Sequence, residues 1–305
     1  MTHASLSIRR MVVRDGLGIA FIHEGAGGYP LLLIHGWPET KRIWSRNIGP
    51  FAATGFEVIA PDLRGFGDSD FASDGNYDVA AHARDLHALV HEVLKHDHCA
   101  VAAGDFGGAV LMDLALRFPG FVERACIFNT VTPLLPDAYA TAGLVDVPRA
   151  ARLSSDYFIR QATDADVLAA ELDTPERRRR YVADFYGHRF WTVPGAFDAD
   201  DVRFMTEPFA DAARFRASIA NYEYAGGSRT PSEPLRVFER VPVPALILYG
   251  PEDHVTPRDF PQRAAIAYPE HVGPFLMPGA GHFLQWEAAP VLNGALRWFF
   301  ADLRR

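Results

Sequence analysis

The stretch Val101–Val110, VAAGDFGGAV, decides how the rest of the chain is read. Small and β-branched residues run into a turn of small residues, and a helical pattern starts at once. A strand that turns this sharply into a helix presents the side chain at its tip, an elbow whose usual occupant is serine. Here the tip is Asp105, after Ala103 and Gly104 and before Phe106, Gly107 and Gly108. Aspartate is also a favoured helix N-cap, the simpler reading of Asp105 taken alone. A plain cap, however, needs no clearing of side-chain bulk around the turn, whereas a strained elbow does.

Outward from the elbow the alternation repeats. Two antiparallel strands are predicted at Ile8–Val13 and Ile19–His23, followed by buried strands in PLLLIHG and FEVIAPD. The first of these leads to a helix carrying Ile43, Trp44 and Ile48, the second to the turn LRGFGDSD. Leu86, Leu89, Val90, Val93 and Leu94 keep helical spacing between Ala80 and Leu94. Strand CAVAAGD, helix GGAVLMDLALRF and strand RACIFNT come next. Strands alternating with helices predict an α/β protein with a mostly parallel central sheet flanked by helices.

The rhythm stops at Pro133 and resumes at VPALILYG, with a helix around Pro261–Ala267, strand GPFLMPG and a last helix around Val291–Leu303. Residues 134–240 therefore read as a helical cap inserted after the sixth main strand, over a core made of residues 1–133 and 241–305. Thr163 and Thr174 are the expected N-caps of two helices in the insertion. The second of these carries Arg177–Arg180, read as a solvated face.

A length of 305 residues with 49% hydrophobic content supports a large buried core. The net charge of −8 argues against nucleic acid or an anionic membrane as partner. No stretch approaches the ~20 apolar residues that span a bilayer, and the N-terminus has no apolar core of the signal-peptide kind. Cys99 and Cys126 sit in strand-like apolar segments and read as buried thiols. The expectation is a soluble cytoplasmic protein, monomer or homodimer, acting on a small molecule without metal ion or cofactor.

Two further residues complete a constellation. His282 lies in the glycine-flanked loop of PGAGHFLQWEAAP, and Asp253 lies just past the strand end in LILYGPEDHVTP. Each alone is a weak signal. Together with Asp105 they run nucleophile, acid, histidine, each after a separate parallel strand, where ligands of open α/β sheets bind.

With these motifs the chain resembles the α/β-hydrolase fold family, and within it the epoxide hydrolase and dehalogenase branch that uses an aspartate nucleophile. The resemblance spans nearly the whole length, through HGWPE (His35–Glu39), PDLRGFGDSD (Pro61–Asp70), the elbow, GPEDHVTP and GAGHFLQWEAAP. It implies oxyanion donors in the backbone N–H groups of Trp37 and Phe106, and a cis bond before Pro38. It also implies two tyrosines in the cap that protonate the leaving oxygen, which fall on Tyr157 and Tyr222, with Tyr224, Tyr181 and His188 as alternative donors. Phe158, Tyr181, Phe185, His188, Trp191 and Tyr224 are the expected pocket residues. The chain departs from the family at Gly104 and Phe106, where histidine and tryptophan are usual, and at Glu223, where arginine usually follows the second tyrosine. His35 and the LRGFGDSD turn read as structural.

An aspartate suits attack at a saturated carbon. With an ordinary pKa of ~4 it is anionic without a base, and the alkyl ester it forms is a conventional acyl substrate. A serine alkoxide would leave an ether that water could not cleave by this route. His282, oriented by Asp253, then activates the water that attacks the ester. The expected function is opening of an apolar, bulky or aromatic epoxide to a vicinal diol. Haloalkane dehalogenation by the same triad is the alternative, with the Trp37 indole as a halide donor; a receptor on a hydrolase scaffold is a second. A haloacetate substrate is disfavoured, because Phe106 and Ala109 stand where arginines would hold its carboxylate.

Overall fold

The computed structural model describes residues 7–148, 151–152, 155–188 and 190–304. Eight strands form one sheet: β1 (Ile8–Val12), β2 (Gly18–Glu24), β3 (Tyr29–Ile34), β4 (Phe56–Pro61), β5 (Cys99–Gly104), β6 (Val122–Thr130), β7 (Ala245–Tyr249) and β8 (His271–Leu276). Their spatial order is β1-β2-β4-β3-β5-β6-β7-β8. β2 pairs antiparallel with β1 and β4, and every later pairing is parallel. β5 and β7 are buried along their whole length, as strands covered by helices on both faces must be. β1 and β8 are the edges, and Phe275 and Leu276 on β8 are exposed.

Most sequence expectations land within a residue or two. β8 begins at His271, two residues before the predicted run, and the last helix is Ala289–Phe299 followed by a short 3-10 turn. The helix expected over Ala80–Leu94 is α-helical at Val79–His87 and widens to a π-helical turn over Ala88–Val93. Ile43 and Trp44 sit in a 3-10 turn and Ile48 opens a separate short helix. Between β6 and β7 the described residues form helices only.

Two details of that helical segment differ from expectation. Thr163 does not cap the helix Ala165–Glu171; it ends the preceding helix, its hydroxyl donating to Ile159 O, and Asp164 takes the cap position. Thr174 does cap its helix, accepting from the Arg177 amide at 3.2 Å. The arginine run is not a uniform solvated face, because Arg178 is buried with its guanidinium donating to Ala210 O and Leu172 O. An α-helix carries each successive residue about 100° around the axis, so four consecutive side chains cannot share one environment.

Cys99 and Cys126 are free and buried, and burial raises both thiol pKa values. No helix among the described residues is long and apolar enough to cross a membrane.

Candidate active site

The elbow is where the sheet aims a side chain. β5 ends at Gly104 and the helix Asp105–Arg117 begins with no intervening loop. Asp105 itself has φ 45°, in the left-handed region that costs most L-residues roughly 1–2 kcal/mol. The turn is held from outside: the Thr130 hydroxyl donates to Asp105 O, and the two residues form a parallel bridge. A Cβ at Gly107 would meet His35 O at 2.7 Å, and one at Gly108 would strike the Thr130 side chain. The small residues around Asp105 are thus demanded by close packing of the turn. At Gly104, where the family usually has histidine, the ring of Phe128 fills the space a side chain would take.

Three side chains from three strand ends meet at this point. His282 Nδ1 is 2.8 Å from Asp253 Oδ2, and its Nε2 is 3.1 Å from Asp105 Oδ2. The Trp37 amide donates to Asp105 Oδ1 at 2.6 Å, and the Trp37–Pro38 bond is cis. Phe106 is the second residue of a helix whose first N–H groups have no intrahelical acceptor. Asp253 is sealed from solvent, its Oδ1 accepting from the amides of Val255 and Thr256 at 2.8 and 3.1 Å. The Asp105 side chain keeps 15% exposure while that of His282 keeps 2%, so the carboxylate is the member a small molecule can reach.

Charge follows from this geometry. Burial alone would lower the His282 pKa, but the carboxylates of Asp253 and Asp105 outweigh it and hold the imidazole well above its ordinary value. The two flanking carboxylates thus favour the protonated imidazole.

Above Asp105 the helical segment builds an aromatic chamber. The Trp37 ring stacks on Tyr157 and meets Phe185 and Tyr222 edge-on, with centroids 6.0, 4.8 and 5.5 Å apart. Tyr157 and Tyr222 lie 5.8 Å apart between centroids and share a side-chain hydrogen bond. Burial, then the neighbouring Tyr157 and Asp105, raise Tyr222 well above the usual phenol value, so it is a neutral donor. Phe158 backs Tyr222 at 5.1 Å, and Trp191 meets both His282 and Tyr157 edge-on. Tyr181 joins through Phe185.

Two expected pocket residues lie elsewhere. Tyr224 belongs to a separate small cluster with Tyr77, Ala217 and Ala220, and its hydroxyl faces the Tyr77 amide and Asn76 Oδ1. Lying two positions after Tyr222, about 200° around the helix, it is turned to another face. His188 is exposed and accepts from the Phe190 amide at 3.2 Å. Neither reaches the chamber. Glu223 pairs with Arg216 at 2.9 and 3.0 Å, so the departure from the usual tyrosine-arginine pair is absorbed by an ion pair inside the same helical segment.

Three positioning residues escape sequence reasoning. Asn129, at φ 40°, donates to Gly281 O at 2.7 Å and accepts from the Gly250 amide at 2.8 Å, tying the loops of Asp253 and His282 together. Glu287 accepts from the amides of Gly281, Phe283 and Val193, which fixes the His282 loop to the helical segment. Glu39, visible only as the end of HGWPE, accepts from the Gly36 amide at 2.5 Å and from Gln285 Nε2 at 2.6 Å. Burial, then the charge of Asp105, raises the Glu39 pKa to about 8. No spacing rule marks these residues; only burial beside the site does.

The Glu39 shift has a stability consequence. A folded pKa above the ordinary 4.5 means that its contribution is full below pH 4.5 and is lost as pH rises through about 8. Glu39→Gln removes that titration and offers an N–H to Gln285 Oε1, which has no partner. The thermal midpoint of Glu39→Gln is expected to fall several degrees less than that of the wild type across this range. Parallel pH profiles of the two midpoints would contradict the assignment.

His35 is structural, as read. Its Nε2 accepts from the Leu63 amide at 3.0 Å. Asp62 in the following turn accepts from Lys41 and Asp68.

Comparison with known proteins gives the family of the chain. Residues 29–289 match the family described as alpha/beta hydrolase fold. The chain is 29% identical over 293 residues to a soluble epoxide hydrolase of Corynebacterium sp. (strain C12), covering 95% of this chain and 96% of that one. It is 22% identical over 288 residues to epoxide hydrolase 4 of Mus musculus, covering 94% and 77%. Among solved structures, epoxide hydrolase CorEH without ligand superposes with a TM-score of 0.83 at 24% identity, covering 98% of this chain and all of that one.

Proposed function

From the premise that the chain belongs to the alpha/beta hydrolase fold family and is a hydrolase, we propose that it opens epoxides to vicinal diols through a covalent ester on Asp105. The observation that carries this reading is the placement of Asp105 between the Trp37 amide and His282, beneath the Tyr157–Tyr222 pair. The likeness to named epoxide hydrolases supports it.

In the first step an Asp105 carboxylate oxygen attacks an epoxide carbon, the carbon–oxygen bond breaks, and the leaving oxygen takes a proton from the tyrosine pair. In the second, His282 takes a proton from water, and the hydroxide adds to the Asp105 carboxyl carbon. The oxyanion is met by the Trp37 and Phe106 amides, each such donor contributing ~3 kcal/mol. Collapse breaks the ester bond, the diol oxygen takes the proton that His282 carried, and the proton left on the Asp105 carboxyl returns to the tyrosinate formed in the first step. The chamber of Trp37, Phe185 and Trp191 favours an apolar body next to the epoxide.

Esterification also prepares the base. It removes the charge of Asp105, one of the two carboxylates that hold the proton on His282, so the imidazole releases it more readily. Ester breakdown in single-turnover experiments is expected to rise with pH and then level off, its midpoint below that of His282 in the free enzyme. A breakdown rate flat across pH 5 to 9 would remove His282 as base.

Tyr157→Phe and Tyr222→Phe keep the ring packing and delete one donor each. Each is expected to slow ester formation by ~10²-fold while sparing ester hydrolysis. Rapid-quench measurement of ester formation tests this; unchanged rates in both variants would assign the proton to another group.

The dehalogenase alternative needs N–H donors around a departing halide. The side chain of Phe106 has none, and the Trp37 indole already donates to Ser218 Oγ at 3.2 Å. That geometry counts against it. Release of diol and not halide from matched epoxide and haloalkane substrates tests the reading, and turnover of neither would leave the receptor alternative.

A further inference from the structure

One buried polar pair beside the aromatic chamber takes no part in these steps. Gln161 follows Tyr157 by one turn on the helix Asp156–Thr163, so the two side chains share a face about 6 Å apart along the axis. Gln161 is fully buried. Its Nε2 donates to the Tyr181 hydroxyl oxygen at 3.1 Å, while its Oε1 has no hydrogen-bond partner. Tyr181 stands on the helix Pro175–Gly187, and its ring meets Phe185 at 5.5 Å. Phe185 in turn meets Tyr157 and Trp37, and Tyr181 acts electrostatically on Tyr222. Through Phe185 the pair adjoins the aromatic chamber.

A buried amide oxygen without a donor is costly and uncommon in folded proteins. Replacing Gln161 by an apolar residue would relieve it. Its surroundings state what would satisfy it. The Tyr181 oxygen already accepts from Gln161, which leaves its O–H proton to donate, and Gln161 Oε1 needs a donor. A ligand hydroxyl does both, donating to Oε1 and accepting from Tyr181. An ether or carbonyl can only accept, a carboxylate would confront Oε1, and an alkyl group would seal it unpaired.

We propose that Gln161 and Tyr181 form a specificity subsite for a hydroxyl group carried by the substrate at the end away from its epoxide. This rests on the epoxide hydrolase reading and sharpens it. The preferred substrate is apolar where it meets Trp37 and Phe185 and hydroxylated at the end that reaches Gln161.

The test compares epoxyhexane with its isostere in which a hydroxyl replaces the terminal methyl group, in wild type, Gln161→Leu and Tyr181→Phe. Wild type is expected to favour the hydroxylated epoxide by at least ~10-fold in kcat/KM, mostly through KM, because a site built around a hydrogen bond rejects the analogue lacking it. In Gln161→Leu the ratio is expected to fall to about one, and in Tyr181→Phe to fall part of the way. Thermal midpoints verify that each variant is folded, and Tyr181→Phe, which keeps its ring, decides the matter if Gln161→Leu is not. Epoxyhexane opened with the same ratio in wild type and folded variants overturns the subsite and leaves the epoxide reading standing. Diol from neither substrate overturns both.

Discussion

In an Asp105→Asn protein, diol formation from any epoxide that the wild type opens falls by at least ~10⁴-fold, while the fold persists. Asparagine is the informative replacement because the position sits at φ 45°, which asparagine tolerates and most residues do not. Its amide oxygen can still accept from the Trp37 amide, which lies 2.6 Å from the native carboxylate. What it lacks is the anionic oxygen that attacks carbon. Asp105→Ala loses the same chemistry but adds the strain of alanine in a left-handed conformation, roughly 1–2 kcal/mol, so a loss of stability there would not speak to catalysis. Kinetics together with the thermal midpoint of both proteins separates the two effects. Substantial turnover by folded Asp105→Asn would end the nucleophile assignment and the mechanism with it.

His282→Gln is expected to do the opposite to the first step and the same to the overall rate. The Asp105 carboxylate needs no base, so the ester still forms. Its hydrolysis then slows by at least ~10³-fold for want of a base, and the protein accumulates one covalent adduct. Mass spectrometry should map this adduct to the peptide containing Asp105. In ¹⁸O-water, one turnover of wild type should place the label in Asp105, with the product oxygen drawn from the enzyme. Label appearing directly in the first diol, with no adduct in His282→Gln, would make Asp105 a base for direct attack by water.

Much of this site is legible in the chain because its parts are local. The elbow is written in consecutive small residues around Asp105, and Asp253 and His282 each follow a strand end that apolar runs announce. The strand–helix alternation predicts a parallel sheet, and a parallel sheet gathers its strand ends on one edge. Tyr157 and Tyr222 were reachable only through the family resemblance, since nothing in the spacing of cap aromatics separates a donor from a packing ring. Tyr224 and His188 illustrate the failure: both are polar aromatics in the right segment, and both point away.

What the sequence determined by itself is the order of elements and the identity of the carboxylate at the elbow, because those depend on residues a few positions apart. What only the tertiary structure decided is which side chains surround that carboxylate. Glu39 and Gln285 are 246 residues apart, Asn129 and Gly281 are 152 apart, and the orphaned oxygen of Gln161 becomes visible only once burial removes water from it. Periodicity reports on which face of an element is apolar. It carries no information on which polar group, brought in from a distant strand or helix, will be buried beside which other, and the chemistry of the site depends on that pairing.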